Sequence, residues 1–470
     1  MFESLKFEVF DEELFQFNVG WVYWLIGIYL CLPVLAYVIL PVFSSKGFYS
    51  GKRKSITIIV LGDLGHSPRI CYHAKSFSKY EYYVNLCGYI ETEPPYDVVD
   101  DINIDISEIK PIKNSFNLPY ILFIGQKVFL QVFQLFKLLL GIRGSDYILL
   151  QNPPSIPILI LVIIFIKVFS RSTTLIVDWH NLNYSILNLK FKNERHPLVR
   201  LVKFYEQFLG KNFVDINLTV TKKMKSFLVQ EFNFDPKKII TLYDRPSDIF
   251  SPLESEEEKN DILQSIDLFA GLENISKYKI LISSTSFTPD EDFDVLLDAL
   301  KRYEMDNDSP PIILVVTGKG PLRDEFFGTV KRLAFNPERI IVKSAWLSIS
   351  DYPRVISVAD LSVSLHTSSS GIDLPMKILD FFGSGVPVIA LNFEAIGELV
   401  QDGYNGLVTS DKVSSERRDQ ALELYRLLRE AFTDKKLLQT LRKGALEESK
   451  LRWDENWTKV LGNIFDYKID

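Results

Sequence analysis

From position 18 to position 45 no residue carries a charge, and residues 19–43 are almost wholly apolar or aromatic. A helix of that length reaches about 37 Å, enough for a hydrocarbon core of about 30 Å. The leader is acidic, with Glu3, Glu8, Asp11, Glu12 and Glu13 against Lys6, whereas Lys46, Lys52, Arg53 and Lys54 follow the apolar run. A secretory signal peptide has a basic leader and a shorter apolar core. The pattern predicts one uncleaved transmembrane helix over 19–43, after a short lumenal segment 1–18. The basic flank 44–54 places everything downstream in the cytosol, the side that lysine and arginine favour. Trp21, Tyr23 and Trp24 at one end and Tyr49 near the other suit the interfacial belts. With this topology the sequons at Asn183, Asn217, Asn274 and Asn456 are not glycan acceptors.

Beyond residue 55, short β-branched runs alternate with helical periods. Residues 55–62 (SITIIVLG), 82–88, 102–106, 147–150 and 174–177 read as strands, with helical patterns over about 70–79 and over 120–141. Lys127 and Lys137 mark the polar side of the second helix. After an acidic stretch at 254–261 (ESEEEKND), strands are expected at 279–284, 312–317, 340–343, 361–365 and 386–390, with a helix over 292–303. Such alternation predicts doubly wound parallel sheets. Two α/β domains, 55–250 and 279–450, then face one another, joined by a linker or insertion over 251–278. The final segment 451–470, with Trp453 and Trp457, is expected to pack back on the first domain. Residues 156–169 (IPILILVIIFIKVF) are apolar on every side yet short for a span. A buried helix and a surface dipping into the bilayer both fit that run.

The chain has 470 residues, 47% of them hydrophobic, and 53 Lys+Arg against 60 Asp+Glu give a net charge of −7. That hydrophobic share supports large cores and excludes a disordered chain. The mild acidity argues against a nucleic-acid partner. Three cysteines, Cys31, Cys71 and Cys87, are too few for a disulfide framework, so the bulk of the chain reads as folding in a reducing compartment. Five histidines without H-E-x-x-H or paired C-x-x-C argue against a zinc hydrolase.

Ligands of doubly wound sheets sit beyond the carboxyl ends of the strands, which nominates residues 62–69, 151–152 and 178–183 as one cleft wall. Gly318-Lys319-Gly320-Pro321 follows a strand and opens a helix, so its amides could face a phosphate, although a tight turn explains the glycines equally. The D-x-D of Thr288-Pro289-Asp290-Glu291-Asp292-Phe293-Asp294 has the look of a divalent-metal motif. A helix start explains it better, with Thr288 as N-cap and Pro289 at the first helical position. From His366 to Asp380 a polar, glycine-containing loop runs into a helix ending near Gly383, and Asp373 and Lys377 share a face if both are helical.

These stretches, with Gly62-Asp63-Leu64-Gly65-His66-Ser67-Pro68-Arg69, Gln151-Asn152-Pro153-Pro154-Ser155, Asp178-Trp179-His180-Asn181 and Tyr243-Asp244-Arg245-Pro246, resemble the chitobiosyldiphosphodolichol beta-mannosyltransferases, the fungal members most of all. The resemblance runs from about residue 55 to the end. It implies the GT-B architecture, two Rossmann-like domains facing a cleft. It also implies inverting transfer of the first beta-1,4-linked mannose from GDP-mannose to GlcNAc2-diphosphate-dolichol, on the cytosolic face of the endoplasmic reticulum membrane, for N-glycosylation. No obligatory cofactor is implied, and a divalent metal is at most stimulatory. The implied partners are GDP-mannose, the dolichol-linked chitobiose diphosphate, that membrane, and other early mannosyltransferases of the dolichol pathway.

By the same resemblance the second domain holds GDP. Asp380 would accept hydrogen bonds from the ribose hydroxyls. Lys377, the Gly318, Lys319 and Gly320 loop, and the Ser284 and Thr285 hydroxyls would neutralise the diphosphate. Many such transferases carry two glutamates eight positions apart; here Ile372 occupies the first position, and Asp373 is an approximate stand-in. His66, Ser67, Arg69, Asn152 and Arg245 are the candidates for the acceptor and its diphosphate. Inversion requires a base on the face opposite the leaving diphosphate, hence on a first-domain loop. Asp63, His66, Asp178 and His180 qualify by position; Asp63 and His180 lead, while Asp178 can instead orient His180 or brace its loop and His66 can donate to the diphosphate. A retaining alpha-mannosyltransferase of the same fold and a non-catalytic nucleotide-sugar-binding scaffold for partner transferases are the alternatives.

Overall fold

The computed structural model describes residues 20–34, 53–114, 119–272, 274–288, 291–410 and 416–465. Gly20–Val34 is a helix of 15 residues whose Tyr23, Trp24, Tyr29 and Leu30 side chains are exposed. At 1.5 Å per residue it is about 22 Å long, and no helix among the described residues is long and apolar enough to cross a membrane. The described part of the expected span over 19–43 is this helix. The segment 1–18, the remainder of the apolar run, Tyr49 and most of the basic flank lie outside the described residues.

The first domain is a seven-stranded parallel sheet in the order β3-β2-β1-β4-β5-β6-β7. Its strands are β1 (Ser55–Asp63), β2 (Tyr83–Tyr89), β3 (Ile104–Glu108), β4 (Tyr147–Asn152), β5 (Thr174–Trp179), β6 (Ile216–Thr219) and β7 (Ile239–Thr241). In β1, Ile56, Ile58, Ile59 and Val60 are all buried, because helices cover both faces of a parallel sheet and the strand reads as one apolar run. On one face Leu135 and Leu139 of the Tyr120–Gly141 helix pack with Val162, Phe165, Leu209 and Met224 against Ile59, Leu150 and Val177. On the other, Ile70 and Phe77 of the Pro68–Lys79 helix and Trp453 and Trp457 of the Trp453–Leu461 helix pack against Ile58, Leu149 and Ile176. The last helix therefore lies on the first domain, with the Trp457 ring edge-on to Phe77 at 5.0 Å. The uniformly apolar stretch at 156–169 forms the Ile158–Phe169 helix, with Val162, Phe165 and Ile166 buried and Ile160, Ile164 and Val168 exposed.

The second domain is a six-stranded parallel sheet, β10-β9-β8-β11-β12-β13. It comprises β8 (Lys279–Thr285), β9 (Ile312–Gly318), β10 (Ile340–Ala345), β11 (Leu361–Ser364), β12 (Val388–Ala390) and β13 (Gly406–Val408). The acidic stretch before it is a helix, Glu256–Ser265, and not an open linker: Ser255 accepts from the Glu258 amide, and three glutamates in the first turn suit the helix N-terminus. In both sheets the strand order reverses beside the first strand, and crevices for ligands form at such points.

Candidate active site

The carboxyl ends of the two sheets carry loops that meet. Asn181, two residues past β5, donates to the Ser369 hydroxyl at 3.2 Å, and the Thr221 hydroxyl donates to the Ile372 carbonyl at 2.6 Å. Ile372 itself is buried in the core of the first domain. A second junction forms where Glu398 accepts the Lys222 and Lys223 amides at 2.8 and 2.7 Å and the Tyr243 hydroxyl at 2.6 Å.

On the second-domain side, Glu291 is the centre of a buried polar cluster. It accepts the Lys377 ammonium at 2.9 Å, the Ser286 amide at 3.0 Å and the Thr285 hydroxyl. Tyr352 bridges Ser284 at 3.0 Å and Asp380 at 3.1 Å. Burial pushes the Asp380 carboxyl up to about 7, against the opposing pull of the Tyr352 hydroxyl and the Lys377 charge. Ser284, Thr285, Lys377 and Asp380 are thus brought together, and Glu291 and Tyr352, which sequence reasoning missed, hold them. In sequence Glu291 is indistinguishable from a helix-start carboxylate, and no local pattern distinguishes Tyr352 from a core tyrosine.

Gly318 has φ +140°, and a Cβ there would stand 1.8 Å from the Thr285 carbonyl oxygen. On Gly320 it would stand 1.7 Å from that of Ser286. Both glycines let this loop cross the end of β8, so close packing accounts for them. Lys319 lies over the Trp346 ring, 4.1 Å from its centroid, and Trp346 is 60% exposed just past β10. This open aromatic surface was a further residue missed from sequence.

Two readings on this side are corrected. Asp373 is buried, accepting from the Ser368 hydroxyl and from Ser370 at 3.0 Å, and the helix starts only at Met376. It braces its loop and does not share a helical face with Lys377. The D-x-D region does cap a helix, but Asp292 is the N-cap and Phe293 the first residue, while Pro289 and Asp290 lie outside the described residues. Arg417 pairs with Asp292 at 3.1 Å and with Asp294 at 2.9 Å.

On the first-domain side, Asp63 closes β1. Its carboxylate faces His66 Nδ1 at 2.6 Å and accepts the Glu91 and Thr92 amides at 3.0 and 3.1 Å. Burial opposes the charge, but the His66 ring and these amides together bring Asp63 down to about 2. Ser67 donates to the Asp63 carbonyl at 2.8 Å. His180 is 25% exposed, with Nε2 3.8 Å from the Asp244 carboxylate. Arg245 lies 3.8 Å from Glu448 and over the Tyr243 ring.

Three residues expected at the substrate are instead internal. Arg69 is 2% exposed and spends its guanidinium on Asp178, bidentate at 2.6 and 2.8 Å, and on Asp244 at 2.6 Å. Asp178 is wholly buried; burial works against its charge, yet Arg69 holds it far below the usual carboxylate range. Held by Arg69 at the end of β5, it braces its loop, one of the two roles expected of it. Asn152 is also fully buried, donating to Glu206 at 3.0 Å, and burial raises the Glu206 carboxyl. These groups shape the loops from beneath. His73 completes the layer: Trp457 Nε1 donates to its Nδ1 at 3.2 Å, and burial lowers its proton affinity.

The comparisons with known proteins agree with this arrangement. Residues 278–427 match the family described as glycosyl transferases group 1. Sucrose-phosphate synthase from Thermosynechococcus elongatus superposes with a TM-score of 0.65 at 14% identity, covering 88% of this chain and 98% of that one. Anabaena HepE in complex with UDP and glucose superposes with 0.61 at 13% identity, covering 88% and 100%. At such identities the likeness shows the fold alone, the GT-B arrangement of two facing domains. The sequence relatives are far nearer. The chain is 60% identical to the chitobiosyldiphosphodolichol beta-mannosyltransferase of Debaryomyces hansenii, over 100% of its own length and 99% of that protein. It is 34% identical to the Homo sapiens protein of that name, over 92% and 98% of the two chains. Full-length similarity of this degree, on a GT-B fold with polar loops on both sides of the cleft, places the chain in the chitobiosyldiphosphodolichol beta-mannosyltransferase family.

Proposed function

We propose that the protein transfers one mannosyl residue from GDP-mannose to dolichol-linked chitobiose diphosphate, forming a beta-1,4 bond with inversion, at the cytosolic face of the endoplasmic reticulum membrane. The observation that carries this reading is the Glu291–Lys377 pair beside Asp380 and Tyr352, in the domain whose Ser369 meets Asn181 of the first. An ammonium held by a buried carboxylate offers charge to a departing diphosphate without freezing out a flexible chain at the moment of reaction. Asp380, ionised, has oxygens for two ribose hydroxyls. Charge neutralisation by Lys377 and loop amides leaves a divalent metal with no more than a stimulatory part.

A lipid-linked acceptor needs the cleft held at a membrane. Supporting this, the exposed side of the Tyr120–Gly141, Ile158–Phe169 and Pro197–Phe213 helices presents Phe129, Phe133, Ile164, Leu201 and Phe204. The exposed Gly20–Val34 helix extends the apolar surface on offer. The deciding experiment incubates the full-length protein with labelled GDP-mannose and lipid-linked chitobiose. Product cleaved by beta-mannosidase is expected. Product cleaved only by alpha-mannosidase makes it a retaining enzyme, and GDP-mannose binding without product makes it a scaffold.

A further inference from the structure

We propose that His66 takes the proton from the acceptor hydroxyl and that Asp63 is the positioning residue that holds its ring, an assignment resting on the inverting transfer proposed above. Asp63 uses both oxygens: one accepts the Glu91 and Thr92 amides, the other faces His66 Nδ1 at 2.6 Å. A carboxylate so provided with donors is a poor proton acceptor, and its low proton affinity follows from those contacts. As an ionised, acceptor-only group it fixes the ring proton on Nδ1 and leaves the lone pair on Nε2. The Thr92 hydroxyl lies 3.2 Å from the same nitrogen and confines the ring from a second side. The His66 side chain is 67% exposed while Asp63 is 13% exposed, so the imidazole and not the carboxylate is open to a substrate.

His180 is built differently. Its Nε2 is turned toward Asp244, whose other oxygen is taken by Arg69, and its neighbour Asn181 touches Ser369 of the donor domain. That contact ties the His180 loop to the diphosphate side, whereas inversion needs the base on the opposite side. His66 sits past β1, two strands away in the sheet, and its ring is held by Asp63 and Thr92, both of the first domain. The remaining charged groups on the neighbouring loop are Glu91 and Glu93, both exposed. In the step, the acceptor oxygen bonds to the anomeric carbon as the carbon–phosphate-oxygen bond breaks, its electron pair leaving with GDP. The hydroxyl proton passes to Nε2, and the imidazolium lies beside the Asp63 carboxylate.

The test uses full-length wild type and the variants His66→Ala, Asp63→Ala, Asp63→Asn and His180→Ala, each checked for GDP binding and for cooperative unfolding. Wild type must first yield the beta-mannoside; if it does not, the functional reading fails irrespective of the base. His66→Ala is expected to lose turnover by about 10²–10⁴-fold, with GDP affinity kept and part of the rate restored by added imidazole. Asp63→Ala is expected to lose less, and Asp63→Asn, whose amide oxygen still accepts from the Nδ1–H, to regain part of that loss. Wild-type turnover in His66→Ala overturns the proposal. So does an Asp63→Ala loss exceeding that of His66→Ala, or imidazole rescue confined to His180→Ala.

Discussion

Glu291 and Lys377, 86 positions apart in sequence, meet at 2.9 Å in the second domain, the carboxylate buried and the ammonium about one-third exposed. The difference in exposure matters. The carboxylate also accepts the Ser286 amide and the Thr285 hydroxyl, so it is anchored, and Lys377 is the member free to meet a ligand. Lys377→Met should raise the KM for GDP-mannose and lower kcat together, because a charge facing the leaving diphosphate acts in both the bound and the transition state. Glu291→Gln should keep the fold but loosen Lys377, giving a smaller loss in the same direction. Steady-state kinetics on the two variants checks this; an unchanged kcat/KM in Lys377→Met removes it from the donor site.

Asp380 links donor binding to pH. Its folded-state value near 7 lies above that of a free carboxylate, so the folded protein holds a proton that the unfolded chain has released at intermediate pH. Stability from this group is therefore greatest at low pH and declines as pH rises from about 4 toward 7. Ribose hydroxyls favour the ionised form, so GDP should bind more tightly as pH rises from 6 to 8, with proton release. Calorimetry in buffers of differing ionisation enthalpy measures that release, and Asp380→Asn should abolish it. An equal proton count in wild type and variant removes Asp380 from the linkage.

Removing Arg69 leaves Asp178 and Asp244 as uncompensated charges beneath the first-domain loops. Breaking a buried pair in this way costs about 3–5 kcal/mol, so Arg69→Met should show an unfolding midpoint far below wild type in urea. A variant of wild-type stability that has lost only acceptor affinity would return Arg69 to the role of diphosphate ligand.

Saturating chelator should leave a substantial part of the transfer rate. Asp292 and Asp294 are paired with Arg417, and in the proposed donor site Lys377 supplies the charge for the diphosphate. Complete loss restored by added divalent metal would return the D-x-D to the role of metal ligand.

Deleting residues 1–50 should weaken flotation with liposomes without abolishing it, since Phe129, Phe133, Leu201 and Phe204 remain exposed on the first domain. Adding Phe133→Ser and Phe204→Ser should then reduce what binding is left. Equal flotation with and without those two changes would exclude this face from the membrane.

Much of the fold was legible from local pattern. β1 and β8 are covered on both faces, so each appears as an apolar β-branched run, and the Tyr120–Gly141 helix matches its expected bounds because apolar residues recur along it at helical spacing, although of its described side chains only Leu135 and Leu139 are fully buried. β6 and β7, of four and three residues, are too short to carry a period in sequence. At the site, the loops nominated at strand ends do meet those of the other domain, since parallel strands place their carboxyl ends on one side. Which charged residue faces the ligand was not legible. Asp63 and His66 lie three apart and meet locally, but the partners that bury Arg69 stand 109 and 175 positions away, and those that occupy Glu291 include a lysine 86 positions on. Sequence by itself determined the alternation of elements, the family and the loops that line the cleft, because these depend on hydrophobic period and on contiguous motifs. Only the tertiary structure decided that Arg69, Asp178 and Asn152 are internal supports while His66 and Lys377 stay open, because desolvation and ion pairing depend on what distant segments bring beside a charge.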